Sequence, residues 1–127
     1  MAYDLEVDPA IIWFSQRSAG GFHRAQRIRA SMEANGFIFE PANPINVVRV
    51  GDILTTIDNT RVAVAQELGI SWIVVRINEV DETLPEHIIA IQRFGSARTW
   101  GEALAFRLAS QRPPLTMPGT PDRPHMK

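Results

Sequence analysis

Asp58, Asn59, Thr60 and Arg61 stand together where a β-branched run gives way to a helical pattern. A helix start presents unpaired N–H groups and a partial positive charge, which suits phosphate or carboxylate. Arg61, in the first turn, adds a fork-shaped donor to the same anion, and Asp58 offers a carboxylate for proton transfer or metal contact. The bland alternative is that Asp58 or Asn59 caps the helix and Arg61 pairs with Asp58. A second polar group follows a short apolar run: Ser15 and Gln16 can hydrogen-bond a base or a phosphate, or serve as plain turn residues. His23 lies a few residues further on, and an imidazole there suits general acid or base work. A lone histidine on a helix is more often a surface or packing residue. Trp13, Trp72 and Trp100 can stack on a nucleobase or fill the core.

The elements that must position these groups read clearly along the chain. Ile11 to Phe14 predicts a strand, and Phe22, Ala25, Ile28 and Met32 mark the buried stripe of a helix closed by Asn35-Gly36. Ile45 to Val50 and Ile53 to Ile57 flank Gly51-Asp52, the signature of a β-hairpin. A helix over 60–68 follows, with Val62, Ala65 and Leu68 inward, and then a strand from Trp72 to Ile77. Pro85 opens a further helix through Gln92. The last helix spans 99–111, its start Thr99-Trp100-Gly101-Glu102 matching a capping box. Five prolines from Pro113 onward predict a non-helical, mobile tail over 113–127. The expected fold is α+β, a small mixed sheet with a hairpin and three to four helices in one domain over 1–112.

Composition narrows the chemistry. A chain of 127 residues with 45% apolar and 21% charged residues suits one globular domain. A net charge of −1 gives no general attraction to nucleic acid, so such a partner must be held by a local patch. Twelve of the thirteen basic residues are arginine, and Lys127 is the lone lysine. Cysteine is absent, which excludes disulfides, thiolate metal sites and cysteine nucleophiles. The apolar runs are too short to span a bilayer, so no membrane partner is expected. The acidic opening (Asp4, Glu6, Asp8) lacks the features of a signal peptide.

The stretch from Pro44 to Arg76 resembles the ParB/sulfiredoxin-like superfamily. Its parts read Pro44-Ile45-Asn46-Val47-Val48, then Ile57-Asp58-Asn59-Thr60-Arg61, then Ala63 to Gly69, then Ile73-Val74-Val75-Arg76. Asn59-Thr60 replaces the Gly-His of the partition proteins, and the Gly-Glu-Arg-Arg string of the CTP-binding members is missing. So is the sulfiredoxin cysteine. Phe14-Ser15-Gln16, Asp58-Asn59-Thr60-Arg61 and Thr99-Trp100-Gly101-Glu102, with Arg107 and Gln111, are similar to toxin modules of bacterial polymorphic toxins of the ParB-like nuclease type. The opening Tyr3-Asp4-Leu5-Glu6-Val7 resembles the junction at which such modules leave their carrier.

The resemblance implies an antibacterial effector domain that cleaves nucleic acid, DNA in preference to RNA. It would be secreted within a larger effector, act in the target-cell cytoplasm, and be neutralised by a cognate immunity protein. Asp58, Arg61 and His23 would be the catalytic groups. Asn59, Thr60, Ser15, Gln16 and Trp100 would bind substrate, with a divalent metal such as Mg as a candidate cofactor. The same anion site would also serve a transferase or hydrolase acting on free nucleotides, or a non-catalytic nucleotide- or DNA-binding module related to partition proteins.

Overall fold

Alternation along two strands sets the architecture. In β4 (Ile45–Val50), Ile45 and Val47 face one side of the sheet while Asn46, Val48 and Val50 face the other. In β6 (Ile73–Glu79), Ile73, Val75 and Ile77 share the first side, leaving Val74, Arg76 and Asn78 on the second. The computed structural model, which describes residues 1–126, builds on these two strands a five-stranded mixed sheet. Its remaining strands are β1 (Tyr3–Val7), β2 (Trp13–Phe14) and β5 (Ile53–Thr56), in the order β1-β6-β4-β5-β2. β4 pairs parallel to β6 and antiparallel to β5, and β2 pairs parallel to β5. Four helices complete an α+β fold, as the sequence predicts: α1 (Phe22–Asn35), α2 (Asn59–Glu67), α3 (Glu86–Ala90) and α4 (Trp100–Ala109).

The first face of the sheet is covered by α2, and α1 packs outside it. This position explains why α2 is buried nearly all round, including Asn59 and Thr60. The other face carries α3 and α4, whose Ile88, Trp100, Ala103, Leu104 and Leu108 pack on Val48 and Ile57 with Phe94 and Leu84. The capping box forms as expected: Thr99 Oγ1 accepts the Glu102 N–H at 3.2 Å, and the Glu102 carboxylate accepts the Thr99 N–H at 3.1 Å. The hairpin turns at Gly51-Asp52, with Gly51 at a φ of +61°.

The opening Tyr3–Val7 forms β1, which pairs antiparallel along β6 from Tyr3–Ile77 to Val7–Ile73. Two expectations are corrected. Phe22 does not join the buried stripe of α1: it is exposed and sits edge-on to His23. The tail is non-helical but it is not loose. Phe14 and Thr120 exchange backbone hydrogen bonds at 2.7 and 3.0 Å, and Thr55 Oγ1 donates to the Pro118 carbonyl at 2.7 Å. A last short strand, β7 (His125–Met126), pairs parallel to β3 (Ser18–Ala19). Edge strand β2 has open backbone groups, and the proline-rich chain closes over them. Lys127 lies outside the described residues.

Candidate functional site

The end of β5 and the start of α2 are held by a dense set of hydrogen bonds. Asp58 occupies the cap position of α2, yet its carboxylate makes no capping bond. Oδ2 instead accepts the Asn46 N–H at 2.7 Å from β4, and Oδ1 lies 3.3 Å from Arg61 Nη2. The Asp58 N–H is taken by Thr56 Oγ1 at 2.9 Å. Asn59 is buried, and its amide accepts the Ser15 N–H at 2.8 Å and donates to Gln16 Oε1 at 3.2 Å. Ser15, fully buried, donates its hydroxyl to the Thr56 carbonyl at 2.7 Å. The Phe14-Ser15-Gln16 segment and the Asp58-Asn59 junction therefore meet, but through buried side chains, and Gln16, Arg61 and Trp100 border three different hollows rather than one cleft.

Arg61 is placed differently. Its Nη1 and Nη2 donate to the Asn43 and Pro44 carbonyls at 2.8 and 2.9 Å, so with Asp58 it locks the loop that leads into β4. Its side chain retains only 17% exposure, so the structure shows the alternative in which Arg61 pairs with Asp58 rather than the anion-binding first-turn cation. Its remaining surface borders a separate hollow walled by α1 and the loop after it. Thr60 is buried, its hydroxyl close against Gly20, which leaves no room for a side chain at that glycine. His23 is exposed on α1, and among the described residues it makes no hydrogen bond or ion pair; it walls neither cleft described below. Trp100, expected to bind substrate, is instead buried in the core, with one edge at the larger cleft. Trp72 is exposed.

The larger cleft, about 470 Å3, opens on the α3/α4 face beside Asp58. Its floor comes from the period-two pattern: Asn46, Arg76 and Asn78 occupy its side of β4 and β6, with Asn46 opposite Arg76 in register. Asn78 Nδ2 donates to Asn46 Oδ1 at 3.2 Å and to the Val47 carbonyl at 3.0 Å, which orients both amides. The wall is His87 from α3, Arg93 from the loop after it, and Trp100. Arg76 is paired with Asp4 at 2.9 Å, whereas Arg93 has no carboxylate partner among the described residues. Arg93 stacks on Phe94, 4.9 Å from the ring centre, and Arg107 stacks on the same ring at 5.2 Å. Burial, then the neighbouring Arg93 charge, push the Arg107 guanidinium below its ordinary value, and Asp58 partly offsets them.

Sequence reasoning passed over His87, Arg93, Asn46 and Asn78. The usable signal is the even-numbered polar set Asn46, Arg76 and Asn78 interrupting two apolar strands, which marks a polar patch on one face. His87 follows Pro85-Glu86 at a helix start, where the buried Ile88 turns its neighbour outward.

For a divalent cation the donor set does not fit. Among the described residues no group of three or more histidines or carboxylates is close enough to hold a metal. The two carboxylates at the cleft are both engaged, Asp58 as above and Glu82 with the Glu79 N–H and the N-terminal ammonium. Among the described residues no helix is long and apolar enough to cross a membrane.

No protein-family model matches the chain, and no curated protein matches it. Among solved structures, protein Atu1540 from Agrobacterium tumefaciens is similar at a TM-score of 0.47 and 11% identity, over 73% of this chain and 48% of that one. The chain thus spans about half the length of that protein.

Proposed function

We propose that the chain is a toxin domain of the ParB-like nuclease type that cleaves phosphodiester bonds in nucleic acid, working in the cleft beside Asp58. The observation that carries this reading is the grouping of an imidazole (His87), an arginine without a carboxylate partner (Arg93) and oriented carboxamides (Asn46, Asn78) around the strand end at Asp58. His87 supplies the acid/base group, taking a proton from the attacking hydroxyl or water, or giving one to the leaving oxygen. Arg93 neutralises the charge that builds on the phosphoryl oxygens. Asn46, its carboxamide oriented by the buried Asn78, offers its NH2 to the phosphate or a base edge. Asp58, with its oxygens committed to Asn46 and Arg61, acts as a positioning residue that fixes the cleft edge. The cleft takes the catalytic histidine from α3, so His87 replaces His23 in this scheme.

Carriage in a larger secreted effector, action in a target-cell cytoplasm and neutralisation by an immunity protein are parts of the same proposal. Their support is the likeness of the Phe14-Ser15-Gln16, Asp58-to-Arg61 and Thr99-to-Glu102 strings to such modules. Expression in a bacterial host tests it: the wild-type chain should arrest growth with degraded nucleic acid, and His87→Gln should relieve both at equal protein level. Arrest with intact DNA and RNA would point instead to a free-nucleotide substrate or to a binding module.

A further inference from the structure

A second recess, about 290 Å3, is joined to the Asp58-Asn59 junction through Gln16, which is bonded to Asn59, and Arg107, which is bonded to Ile57. Its lining is Gln16, Arg17, Ser18, Arg107, Ser110, Gln111 and Arg112, with no carboxylate and no apolar side chain among them. Three arginines at one recess in a chain of net charge −1 is a local concentration of positive charge. None of the three has a carboxylate within ion-pair distance among the described residues.

The recess is also built. Gln111 Nε2 donates to the Ser15 carbonyl at 2.8 Å, and its Oε1 accepts the Arg17 N–H at 2.7 Å, clamping the chain after β2 to the end of α4. Arg17 Nε and Nη2 donate to the Pro113 and Pro114 carbonyls at 3.0 and 3.4 Å, which fixes the guanidinium and leaves Nη1 to face the recess. Arg107 gives one donor to the Ile57 carbonyl at 3.3 Å and stacks on Phe94, leaving the rest of its fork uncommitted. A helix C-terminus ordinarily repels anions. Here its carbonyls are occupied: Phe106 accepts the Ser110 hydroxyl, Arg107 the Ser110 N–H, and Leu108 the Leu115 N–H. The guanidinium groups therefore dominate the field in the recess.

Arg107 at the recess is bonded to the residue before Asp58, and Gln16 there is bonded to Asn59. We infer that the recess formed by Arg17, Arg107 and Arg112 binds a backbone phosphate of the strand whose scissile phosphate lies in the Asp58 cleft. This rests on the nuclease reading for the identity of the ligand, while the recess itself is a phosphate site whether or not cleavage occurs. The guanidinium groups of Arg107 and Arg112, with the remaining nitrogen of Arg17, match phosphate oxygens, and the Gln16 amide adds a neutral hydrogen bond. Gripping a neighbouring phosphate would hold the strand in register over the cleft.

The test is binding to the full chain, followed by amide NMR, with three probes: inorganic phosphate, a nucleoside 5′-monophosphate and an uncleavable phosphorothioate tetranucleotide. Phosphate should move the amides of Arg17, Ser110 and Gln111, and Arg112→Gln should weaken that response several-fold. Arg112 is exposed and makes no hydrogen bond among the described residues, so this variant keeps the fold. Arg107→Lys should behave likewise, keeping charge but losing the fork. The tetranucleotide should bind at least tenfold tighter than the monophosphate. Its salt dependence should flatten in Arg112→Gln by about 0.7 in log–log slope, the value for one lost single-strand phosphate contact. Undisturbed recess amides, or an Arg112→Gln protein that binds like wild type, would overturn the site. Equal affinity for monophosphate and tetranucleotide would overturn the strand assignment. Recess binding in a protein that cleaves nothing would reject the nuclease reading and leave the phosphate site standing.

Discussion

Asn59 and Ser15 are joined twice: Asn59 Oδ1 accepts the Ser15 N–H at 2.8 Å, and Asn59 Nδ2 donates to the Ser15 hydroxyl at 3.0 Å. Forty-four positions separate them in sequence, and both are buried. This pair ties the chain after β2 to the start of α2, and so sets the recess against the cleft. Asn59→Ala leaves the buried Ser15 N–H without its partner and takes from the Ser15 hydroxyl its donor, leaving only the bond to Thr56. The expected loss is about 2 kcal/mol, or roughly 8 °C in Tm for a domain of this size. Asn59→Asp should not rescue it. A carboxylate keeps the acceptor but loses the donor, and it faces the oxygens of Ser15, Gln16 and Ile57. Thermal melts of the two variants check both statements, and an aspartate variant as stable as wild type would contradict them.

Arg61 is a tether rather than an anion hook. Arg61→Ala removes two charge-assisted bonds to the Asn43 and Pro44 carbonyls and leaves Asp58 without its cation. Urea unfolding should show a loss of about 2 kcal/mol. Arg61→Lys should recover part of it, because one ammonium cannot reach both carbonyls with the same geometry. If Arg61→Ala melts like wild type yet loses activity, Arg61 touches substrate and this assignment fails.

The capping box at α4 carries a pH signature. The Arg98 and Thr99 N–H groups hold the Glu102 carboxyl below its usual 4.5. A carboxylate depressed in the folded state stabilises above its unfolded value, and that stability is lost as pH falls through the folded value. The Tm gap between wild type and Glu102→Gln should therefore be full at pH 7 and close in acid below pH 4.5. Thr99→Ala, which removes the neutral half of the box, should cost about 1 kcal/mol. A Glu102→Gln gap that widens in acid would have the wrong sign.

Gly119 lets the tail close on β2. Its φ is +127°, and a Cβ there would fall 2.4 Å from the Phe14 carbonyl oxygen. Gly119→Ala should release the Phe14–Thr120 bridge and cost about 2 kcal/mol. Hydrogen exchange at the Phe14 amide should accelerate more than exchange in β4 or β6. Equal protection in variant and wild type would show that the tail does not guard this edge.

Local signals in the sequence predict the hairpin, the four helices and the Asp58-Asn59 junction, because turn chemistry, capping and apolar spacing act over a few residues. What they miss depends on distant partners. Tyr3–Val7 alternates weakly and becomes a strand only by pairing with β6. The prolines after Arg112 forbid a helix but say nothing of the edge they cover. The Arg61–Asp58 pair is legible from spacing, but the Asn43 and Pro44 carbonyls that also hold Arg61 come from the preceding loop and carry no local signal. His87 and Arg93 carry no motif, and they become a site only because α3 docks above Asn46 and Asn78.

The central claim is phosphodiester cleavage in the Asp58 cleft with His87 as the acid/base group. Purified wild-type chain should be incubated with end-labelled single- and double-stranded DNA and with RNA, beside His87→Gln, and the products resolved by length. Wild type should yield discrete fragments of at least one of these, DNA in preference. His87→Gln should cut roughly 10²-fold more slowly or worse with its Tm unchanged, since His87 is exposed and holds no part of the core. Intact polymers with wild type, or full cleavage by a folded His87→Gln protein, would contradict it.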